Sequence, residues 1–393
     1  MRIGLFTDTY LPDINGVATA VDTLARELRQ LGHEVFVVTT NLVGHSRIER
    51  EGNLIRIPGI VLKSLYSYRV SSPISPRNFD VLKDVPLDLI HIHTEYGIGY
   101  FGRILAWIRD IPLVYTYHSM YKDFTYLISH GNRVVDAAVG KFFSVFSRRW
   151  AEAPAEFTTP SEKTAKALRS YGIERYISVI PNGVDLSEYA PTPEISEQAE
   201  KIKKELGLEG KTILSVVGRV GQEKGIDFLL ECLRRYIDVT GDENVRILIV
   251  GDGPYLTQVH ERVKDLWLEN YAVFAGRVPH DHIPAYYALS TALLTGSKSE
   301  TQGLTVNEAM AARCPVLARH DASFQAVEDG VTGFFFSDAD TFTSRLTRLL
   351  HMDAKERERM LDTAQERNRE RFSPARFAEE MLKVYARAIR KYW

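Results

Sequence analysis

The sequence predicts an α/β protein built from two Rossmann-like domains, and three observations lead to this prediction. Short apolar runs typical of buried strands alternate with amphipathic stretches, which implies parallel sheets wound by right-handed crossovers. The alternation restarts after the charged helical stretch at 191–208, so the chain holds two such series. A length of 393 residues also exceeds the usual size of a single core. We therefore expect one domain over 1–181 and a second over 182–373.

The first series opens with the strand-like run "RIGLFT" at 2–7. An amphipathic stretch at 16–32 follows, with apolar residues at helical spacing and Gly32 placed to end the helix. Further strands of this domain are predicted at 34–40, 54–58, 88–94, 112–118, 156–161 and 177–185.

The second series opens with a predicted strand at 211–220 and a helix at 225–237. The next strand, 245–254, ends in a glycine turn. Later strands are predicted at 271–279, 292–297, 314–318 and 333–336. The tail, 374–393, has the pattern of a long amphipathic helix.

Composition narrows the possible functions. The formal net charge is −2, so no overall field favours nucleic acid, although local basic patches need separate judgement. Two cysteines, Cys232 and Cys314, give no disulfide framework and fit a reducing compartment. The apolar part of "MRIGLFTDTYLP" is too short for a signal peptide, and no apolar run is long enough to span a bilayer. Contact with a membrane surface stays open.

The loop "GRVGQEKG" at 218–225 joins the first strand of the second domain to its helix. Arg219 and Lys224 lie five residues apart in this loop. A planar guanidinium and a compact ammonium at one strand end can together bind a diphosphate. The alternative is a solvated loop with a hinge glycine.

The stretch "SETQGLTVNEAM" at 299–310 predicts a helix that begins near Gly303. The backbone N–H groups of Gly303, Leu304 and Thr305, with the helix dipole, suit an anion. Glu300 precedes them and can accept two sugar hydroxyls, while Glu308 lies further along the helix and can accept two ribose hydroxyls. Alternatively, Glu300 favours the helix dipole and Glu308 is a surface acid.

Two places in the first domain are candidates for ligand contact. Gly16 follows a long loop at the start of a helix, where its backbone N–H can approach a phosphate or sugar, unless it is an ordinary turn glycine. His118 ends an apolar strand and can bond a sugar hydroxyl or assist an acceptor, and Asp123 can orient an acceptor hydroxyl. A packed structural histidine is the alternative for His118.

The pattern "HIH", with His91 and His93, is also typical of metal ligands. Apart from Glu95, no acid or cysteine cluster nearby completes such a site, so we predict no metal.

The stretch at 133–150, "RVVDAAVGKFFSVFSRRW", predicts a basic amphipathic helix. Its candidate membrane-contacting residues are Arg133, Lys141, Phe142, Phe143, Arg148, Arg149 and Trp150. Cations combined with Phe and Trp suit an anionic membrane surface. The alternative is a core helix with solvated basic ends. The loop at 63–77 adds Lys63, Arg69 and Arg77 among tyrosines.

Taken together, these motifs resemble those of retaining glycosyltransferases of family 4, which have the GT-B fold. The resemblance spans nearly the whole chain. The motifs that carry it are "NGV" at 15–17, "YTYHSMY" at 115–121, "TTPS" at 158–161, "VIPNGVD" at 179–185, "GRVGQEKG" at 218–225, "VGDGP" at 250–254, "FAGRV" at 274–278 and "SETQGLTVNEAMAA" at 299–312. Within the family, "YHSMYKDF" with "SETQGLT" is similar to the bacterial 1,2-diacylglycerol 3-glucosyltransferases. Those enzymes often carry an acid in place of Lys122 and a tyrosine in place of Phe124.

The resemblance implies two domains facing a central cleft, with the final helix, 374–393, crossing back to the N-terminal domain. It also implies roles for individual residues. Arg219 and Lys224 would neutralise the leaving diphosphate, and Glu300 would hold the 3- and 4-hydroxyls of the donor sugar. The remaining implied donor contacts are Gly16 at the phosphate and sugar, His118 at the reacting face of the sugar, backbone from Gln302 to Thr305 at sugar and phosphate, Glu308 at the ribose, and backbone at Arg277 and Val278 at the base.

The reaction implied is transfer of an α-glucosyl group from UDP-glucose to 1,2-diacylglycerol, with retention and without metal or other cofactor. The implied location is cytoplasmic, peripheral on the inner face of the cell membrane, with an anionic lipid surface as partner and no nucleic acid. Two alternatives stay open. One is a family 4 enzyme that uses another hexose donor or a soluble or polyprenyl-linked glycan acceptor, and the other is a nucleotide-sugar binding protein without transfer.

Overall fold

The computed structural model describes residues 1–13, 15–42, 45–62, 68–118 and 133–392. It divides into two compact units. The first contains residues 1–183 together with 374–393, and the second contains residues 184–373. The change of unit after Gly183 lies two residues beyond the boundary that the sequence predicts.

The first unit is built on an eight-stranded sheet. Its strands are β1 (Arg2–Phe6), β2 (Glu34–Thr40), β3 (Glu49–Glu51), β4 (Leu54–Ile57), β7 (Leu89–Ile92), β8 (Leu113–Thr116), β9 (Glu156–Thr159) and β10 (Ser178–Val179). A separate antiparallel pair consists of β5 (Ile60–Leu62) and β6 (Tyr68–Val70). The sheet order is β10-β9-β8-β7-β1-β2-β4-β3, and only the β3–β4 pairing is antiparallel. Near-continuous apolar strands such as β7 and β8 are buried throughout, as expected where helices cover both faces.

The helices of the first unit in its N-terminal part are α1 (Gly16–Gln30), α2 (Pro76–Leu82), α3 (Gly97–Arg109), α4 (Arg133–Glu152) and α5 (Glu162–Ser170). Asn15 begins α1, because its side chain accepts hydrogen bonds from the N–H groups of Val17 and Ala18 at 3.1 and 3.0 Å. α3 ends at Asp110, which adopts a left-handed backbone conformation with φ of 52°.

The second unit has a six-stranded parallel sheet. Its strands are β11 (Thr212–Val217), β12 (Val245–Val250), β13 (Ala272–Gly276), β14 (Ala292–Thr295), β15 (Val316–Arg319) and β16 (Phe334–Phe336). Its helices are α6 (Pro193–Glu205), α7 (Ile226–Thr240), α8 (Leu256–Asp265), α9 (Ile283–Ala288), α10 (Leu304–Ala311), α11 (Ala339–Leu350) and α12 (Ala354–Phe372). The order β13-β12-β11-β14-β15-β16 is that of a doubly wound Rossmann fold.

The final helix, α13 (Pro374–Tyr392), belongs to the core of the first unit. Phe377, Met381 and Tyr385 are buried in one cluster with residues of β1, β2 and α1. Lys391 Nζ also lies 2.6 Å from Oε1 of the buried Glu156 in β9. The prediction that the final helix packs on the N-terminal domain is confirmed.

Among the helices within the described ranges, none is both long and apolar enough to cross a membrane.

Candidate active site

The sheet of the second unit reverses its winding between β11 and β14. Strands that follow β11 in the chain add on one side of it, and β14 begins the additions on the other side. Ligands of doubly wound sheets bind outside the carboxyl ends of the strands at such a switch point. A pocket lies there, and its lining residues are Val216, Val217, Gly218, Arg219, Val220, Lys224, Ile226, Ile249, Leu294, Thr295, Glu300 and Thr305.

Two ion pairs set the charge at this pocket. Lys224 Nζ donates to Glu300 Oε1 at 2.6 Å, and both side chains are partly buried. Arg219 Nη2 donates to Glu223 Oε1 at 2.5 Å. The Glu223 side chain is only 4% exposed, whereas that of Arg219 is 38% exposed. The structure therefore brings Arg219, Lys224 and Glu300 together as the sequence suggests, and it adds Glu223, which the sequence analysis missed.

Two glycines hold the Lys224 loop against the end of β14. Gly225 has φ of +64°, and a Cβ there would lie 2.5 Å from the carbonyl oxygen of Gly296. A Cβ on Gly296 would lie 2.6 Å from the carbonyl oxygen of Gly225. Side chains at either position would force the two segments apart, and with them Lys224 and Glu300.

Helix α10 begins at Leu304, one residue after the predicted start. Gly303 is its N-cap with φ of +76°, and a Cβ there would lie 2.5 Å from Cδ1 of Phe324. Gly303 supplies no side-chain acceptor to the first turn. Thr305, in the first turn of α10, lines the same pocket as Lys224 and Glu300, so the positive end of the helix lies near the ion pairs. Gln302 is buried just before the helix.

Glu308 lies outside the lining of this pocket and belongs to a second polar cluster. Its Oε2 accepts a hydrogen bond from Tyr287 Oη at 2.7 Å, and Tyr189 also donates to it. Burial is the main cause that raises the pKa of Glu308. A hydrogen bond to Glu188 raises the pKa of His280, and the electrostatic attraction of His280 opposes the effect of burial on Glu308.

No motif in the sequence points to Tyr189, Tyr287 or His280, which stand in apolar or loop stretches. Arg277 is exposed after β13, while Val278 packs into an apolar cluster of the second unit.

In the first unit, the loop before α1 is held by a chain of polar contacts. Asn15 Nδ2 donates to Thr9 Oγ1 at 2.7 Å, and Thr9 Oγ1 donates to Asp13 Oδ2 at 3.1 Å. Arg69 Nη2 lies 2.7 and 2.6 Å from the two oxygens of Asp13. These polar contacts fix Asn15 and, through it, the position of Gly16. The sequence suggested Arg69 as part of a basic surface loop. In the structure Arg69 is instead only 7% exposed, and its guanidinium neutralises the carboxylate of Asp13.

His118 lies two residues beyond β8 and is 6% exposed. Its Nε2 is 3.1 Å from Nδ1 of His93. Burial lowers the pKa of His118 to about 4 and lowers the pKa of His91 and His93 well below the ordinary value. All three rings are therefore neutral at pH 7. In the described part of the chain, no group of three or more His, Cys, Asp or Glu residues is arranged to hold a metal ion.

The basic helix α4 has one exposed side and one buried side. Lys141, Phe142, Arg148 and Arg149 are exposed, and Phe142 is 62% exposed. Phe143 is partly buried against the core. The prediction that Trp150 contacts a membrane is wrong. Its side chain is 3% exposed, because it packs against Tyr100, Tyr115 and Phe146 in the core of the first unit.

Two predicted acceptor-side residues, Asp123 and Arg133, have no described side chain. Asp123 falls outside the described residues. Arg133 begins α4, and the description does not extend to its side chain.

Helix α3 contacts the C-terminal end of α4 and also has exposed apolar side chains. The Arg103 guanidinium sits 5.2 Å from the centre of the Trp150 ring, and Tyr100 packs edge-on to that ring at 5.7 Å. Trp107 follows on the same stripe of α3, one turn after Arg103, and is 81% exposed. We call the exposed residues Tyr100, Trp107, Ile108, Lys141, Phe142, Val145, Arg148 and Arg149 the α3–α4 face.

Comparison with known protein families gives two consecutive matches. The family model described as Glycosyltransferase Family 4 matches residues 14–188, and that described as Glycosyl transferases group 1 matches residues 198–367. Together they span most of both units.

Two curated relatives are similar to this chain over most of its length. An alpha-monoglucosyldiacylglycerol synthase of Acholeplasma laidlawii is 32% identical over 89% of this chain and 88% of its own length. An alpha-monoglucosyldiacylglycerol synthase of Streptococcus pneumoniae is 33% identical over 81% of this chain and 71% of its own length.

Solved structures share the fold across both units. Anabaena Alr3699/HepE in complex with UDP and glucose has a TM-score of 0.75 at 19% identity, covering 98% of this chain and 100% of that one. Sucrose-phosphate synthase from Thermosynechococcus elongatus has a TM-score of 0.74 at 19% identity, covering 98% of each chain. With the two doubly wound sheets and the identity to the curated relatives, these likenesses show that the chain is a glycosyltransferase with the GT-B fold and belongs to glycosyltransferase family 4.

Proposed function

We propose that this glycosyltransferase transfers an α-glucosyl group from UDP-glucose to the 3-hydroxyl of 1,2-diacylglycerol at a membrane surface, giving monoglucosyldiacylglycerol. The observation that carries the proposal is the convergence of Arg219, Lys224, Glu300 and the start of α10 at one switch-point pocket. Identity of 32–33% to two alpha-monoglucosyldiacylglycerol synthases supports the choice of acceptor.

The donor diphosphate would enter a pocket whose cations are already held by carboxylates. At Arg219, the diphosphate would compete with Glu223 for the guanidinium. At Lys224, it would share the ammonium with Glu300, whose second oxygen would accept the sugar hydroxyls. Because the Glu223 side chain is only 4% exposed, its ion pair with Arg219 would hold the guanidinium at the pocket before the donor arrives. The helix start from Gln302 to Thr305 would add N–H donors for sugar and phosphate.

The remaining donor contacts follow the same chemistry. Glu308, oriented by Tyr287, would accept ribose hydroxyls, and backbone at Arg277 and Val278 would contact the base. In the first unit, Gly16 would offer its backbone to the phosphate and sugar, and neutral His118 would bond a sugar hydroxyl.

In the proposed reaction, the bond between the anomeric carbon and the β-phosphate oxygen of UDP-glucose breaks. A bond from that carbon to the acceptor oxygen forms on the same face, which retains the configuration. The acceptor proton passes to the departing phosphate oxygen, and UDP leaves carrying that proton. Negative charge builds on the diphosphate during this step, and Arg219 and Lys224 would stabilise it without a metal ion.

The α3–α4 face would bring the enzyme to its lipid acceptor. It combines exposed aromatic and aliphatic side chains with the cations of Lys141, Arg148 and Arg149. Apolar side chains enter the headgroup region of a bilayer, while cations bind anionic lipid. We propose a peripheral enzyme on the inner face of the cell membrane, in which Asp123 is the sequence's candidate for orienting the acceptor hydroxyl.

Product identification tests this function. The full chain is incubated with radiolabelled UDP-glucose and 1,2-diacylglycerol in vesicles that contain phosphatidylglycerol, and the lipid extract is resolved and its anomer determined by NMR. We expect α-monoglucosyldiacylglycerol. Parallel reactions replace UDP-glucose by UDP-galactose, GDP-mannose or ADP-glucose, or diacylglycerol by soluble sugars and a polyprenyl-linked glycan. Label found only in those other products would overturn the acceptor or donor assignment, and release of no product with any acceptor would count against transfer.

A further inference from the structure

Three buried histidines lie at the carboxyl edge of the first sheet, and their hydrogen bonds differ. Both ring nitrogens of His91 have partners, since Nδ1 lies 2.8 Å from Tyr385 Oη and Nε2 lies 2.7 Å from Thr116 Oγ1. His93, 1% exposed, contacts Nε2 of His118 through Nδ1 at 3.1 Å. Nε2 of His93 is buried and has no hydrogen-bond partner within the described residues.

Each of these rings carries a single proton at neutral pH. The His91 and His93 ring centres are 3.9 Å apart, and those of His93 and His118 are 5.3 Å apart. Positive charge on one buried ring would disfavour charge on the next, and burial already disfavours it on all three. A contact between two neutral imidazole nitrogens requires that one donates and the other accepts.

The two possible directions of this hydrogen bond leave different atoms unpaired. If His118 donated from Nε2, the His93 proton would lie on its own Nε2, as a buried N–H group without an acceptor among the described residues. If His93 donates from Nδ1, its Nε2 carries only a lone pair. Folded proteins tolerate an unpaired buried acceptor better than an unpaired buried N–H.

We propose that His93 is a positioning residue that donates from Nδ1 to His118 Nε2 and thereby holds the His118 proton on Nδ1. His118 then offers a ligand a neutral N–H donor rather than a bare nitrogen. In the transfer reaction, which this last step takes from the proposed function, Nδ1 of His118 would donate to a hydroxyl oxygen of the donor sugar and could not act as a base toward the acceptor.

Nitrogen-15 NMR of the full chain, labelled at histidine and free of ligand, tests the tautomer directly. Protonated and unprotonated ring nitrogens have distinct shifts, and the His118→Asn variant assigns the His118 signals. We expect His118 to be protonated on Nδ1 and bare on Nε2. A wild-type spectrum with the His118 proton on Nε2 would overturn the inference, whatever the enzyme's activity.

Two substitutions of His93 separate donation from packing. In His93→Asn, the side-chain amide lies near the position of Nδ1 and can donate to His118, so we expect the wild-type tautomer. In His93→Leu, no donor remains, and a substantial share of the His118 proton should move to Nε2. An unchanged His118 tautomer in the Leu variant would contradict the proposal. Thermal unfolding and near-UV circular dichroism show whether each variant is folded, and His282→Asn, at an exposed position, is the control.

Steady-state kinetics then measure whether the His118 tautomer affects glucosyl transfer. With UDP-glucose and diacylglycerol vesicles, His93→Leu should lower kcat/KM by about 10–100-fold, by analogy with loss of the partner that orients a site histidine. His93→Asn should restore most of this loss. If the NMR result holds while no glucosyl transfer is found, the proposed function fails and the tautomer inference stands. If the NMR result fails while transfer is found, only the inference is lost.

Discussion

The carboxyl edges of the two sheets share a topology but differ in the groups that lie nearest their candidate ligand contacts. Each sheet reverses its winding beside its first strand, β1 in one unit and β11 in the other. The edge of the second sheet bears partly exposed ion pairs, Arg219 with Glu223 and Lys224 with Glu300. The edge of the first bears buried, neutral histidines. The side chains at the strand ends and in the loops, and not the strand order, therefore decide whether such an edge binds charge or offers uncharged hydrogen bonds.

The largest effect is expected at the charged edge. Arg219→Ala or Lys224→Ala should lower kcat by ~10²–10³-fold, because each removes a preorganised charge from the leaving diphosphate. Initial rates with UDP-glucose measure this. Lys355→Ala, an exposed lysine on α12, is the matched control and should leave kcat unchanged. Rates within twofold of wild type for both pocket variants would mean that the ion pairs only stabilise the fold. The difference between the two edges would then have no bearing on transfer.

Glu300 tests whether the carboxylate at this edge serves the sugar or only Lys224. Glu300→Gln keeps the size but loses the charge, so it should weaken both the pair with Lys224 and the acceptance of sugar hydroxyls. We expect kcat/KM to fall by roughly 10²-fold, near the lower end for loss of one site group. UDP affinity, measured by calorimetry, should change little because UDP lacks the transferred glucose whose hydroxyls Glu300 would accept. A parallel loss of UDP affinity would assign Glu300 to the cation alone.

The neutral edge should make stability depend on pH. The pKa of His118 is about 4 in the folded chain, below its ordinary value of about 6.5 when unfolded. The unfolded state therefore binds more protons between those values, and the free energy of unfolding falls as the pH drops from about 6.5 to 4, by up to about 1.4 kcal/mol per pH unit for one histidine. Above pH 6.5 this stabilisation is complete.

Urea unfolding at several pH values measures that slope. His118→Asn should reduce it, while His282→Asn, at an exposed position, should not. Equal slopes in all three proteins would show that His118 titrates normally, and the edge would then not be neutral.

The α3–α4 face offers a smaller effect that depends on salt. Removing both charges with Arg148→Ala and Arg149→Ala should weaken binding to phosphatidylglycerol vesicles by roughly 30-fold, at about 1 kcal/mol for each cation. Flotation or sedimentation with vesicles measures the affinity. The control is Lys201→Ala with Lys355→Ala, which removes two exposed charges of the second unit. Binding that added salt leaves unaffected would point to an apolar attachment instead.

Chelation should have the smallest effect of all. If the pocket cations alone support the diphosphate, EDTA should leave the initial rate within experimental error, and added Mg²⁺ or Mn²⁺ should not raise it. Loss of activity on chelation, with recovery on adding metal, would show that Arg219 and Lys224 do not suffice.

Local patterns predicted much of the fold, because strand and helix periodicity and glycine turns are properties of neighbouring residues. The sequence predicted the Lys224 loop and the start of α10 within one residue, whereas the packing of the final helix on the first domain was implied by the family resemblance. The sequence did not show which of the apolar residues of α4 face the core. Phe142 and Trp150 share one helical pattern, yet one is 62% and the other 3% exposed.

Partners that are distant in the chain could not be predicted. His93 meets His118 because β7 pairs with β8 in a register that sets Ile92 opposite Tyr115. Tyr385 reaches His91 across 294 positions. Arg69 meets Asp13 across 56 positions. A shift of one residue in strand register would move such side chains to the other face, so only the folded sheet fixes these pairs.

The burial of α13 in the first unit bears on how the chain is made. A ribosome synthesises residues 374–393 only after the whole of the second unit, so residues 1–183 emerge long before the helix that completes their core. Until then Glu156 lacks Lys391, and the surface that Phe377 and Met381 cover stays open. The N-terminal half is thus the first to be synthesised, but the second unit is the first whose residues are all present, which reverses the usual order for multidomain chains. A fragment of residues 1–183 alone would carry that apolar surface permanently, as a site for chaperone capture or aggregation.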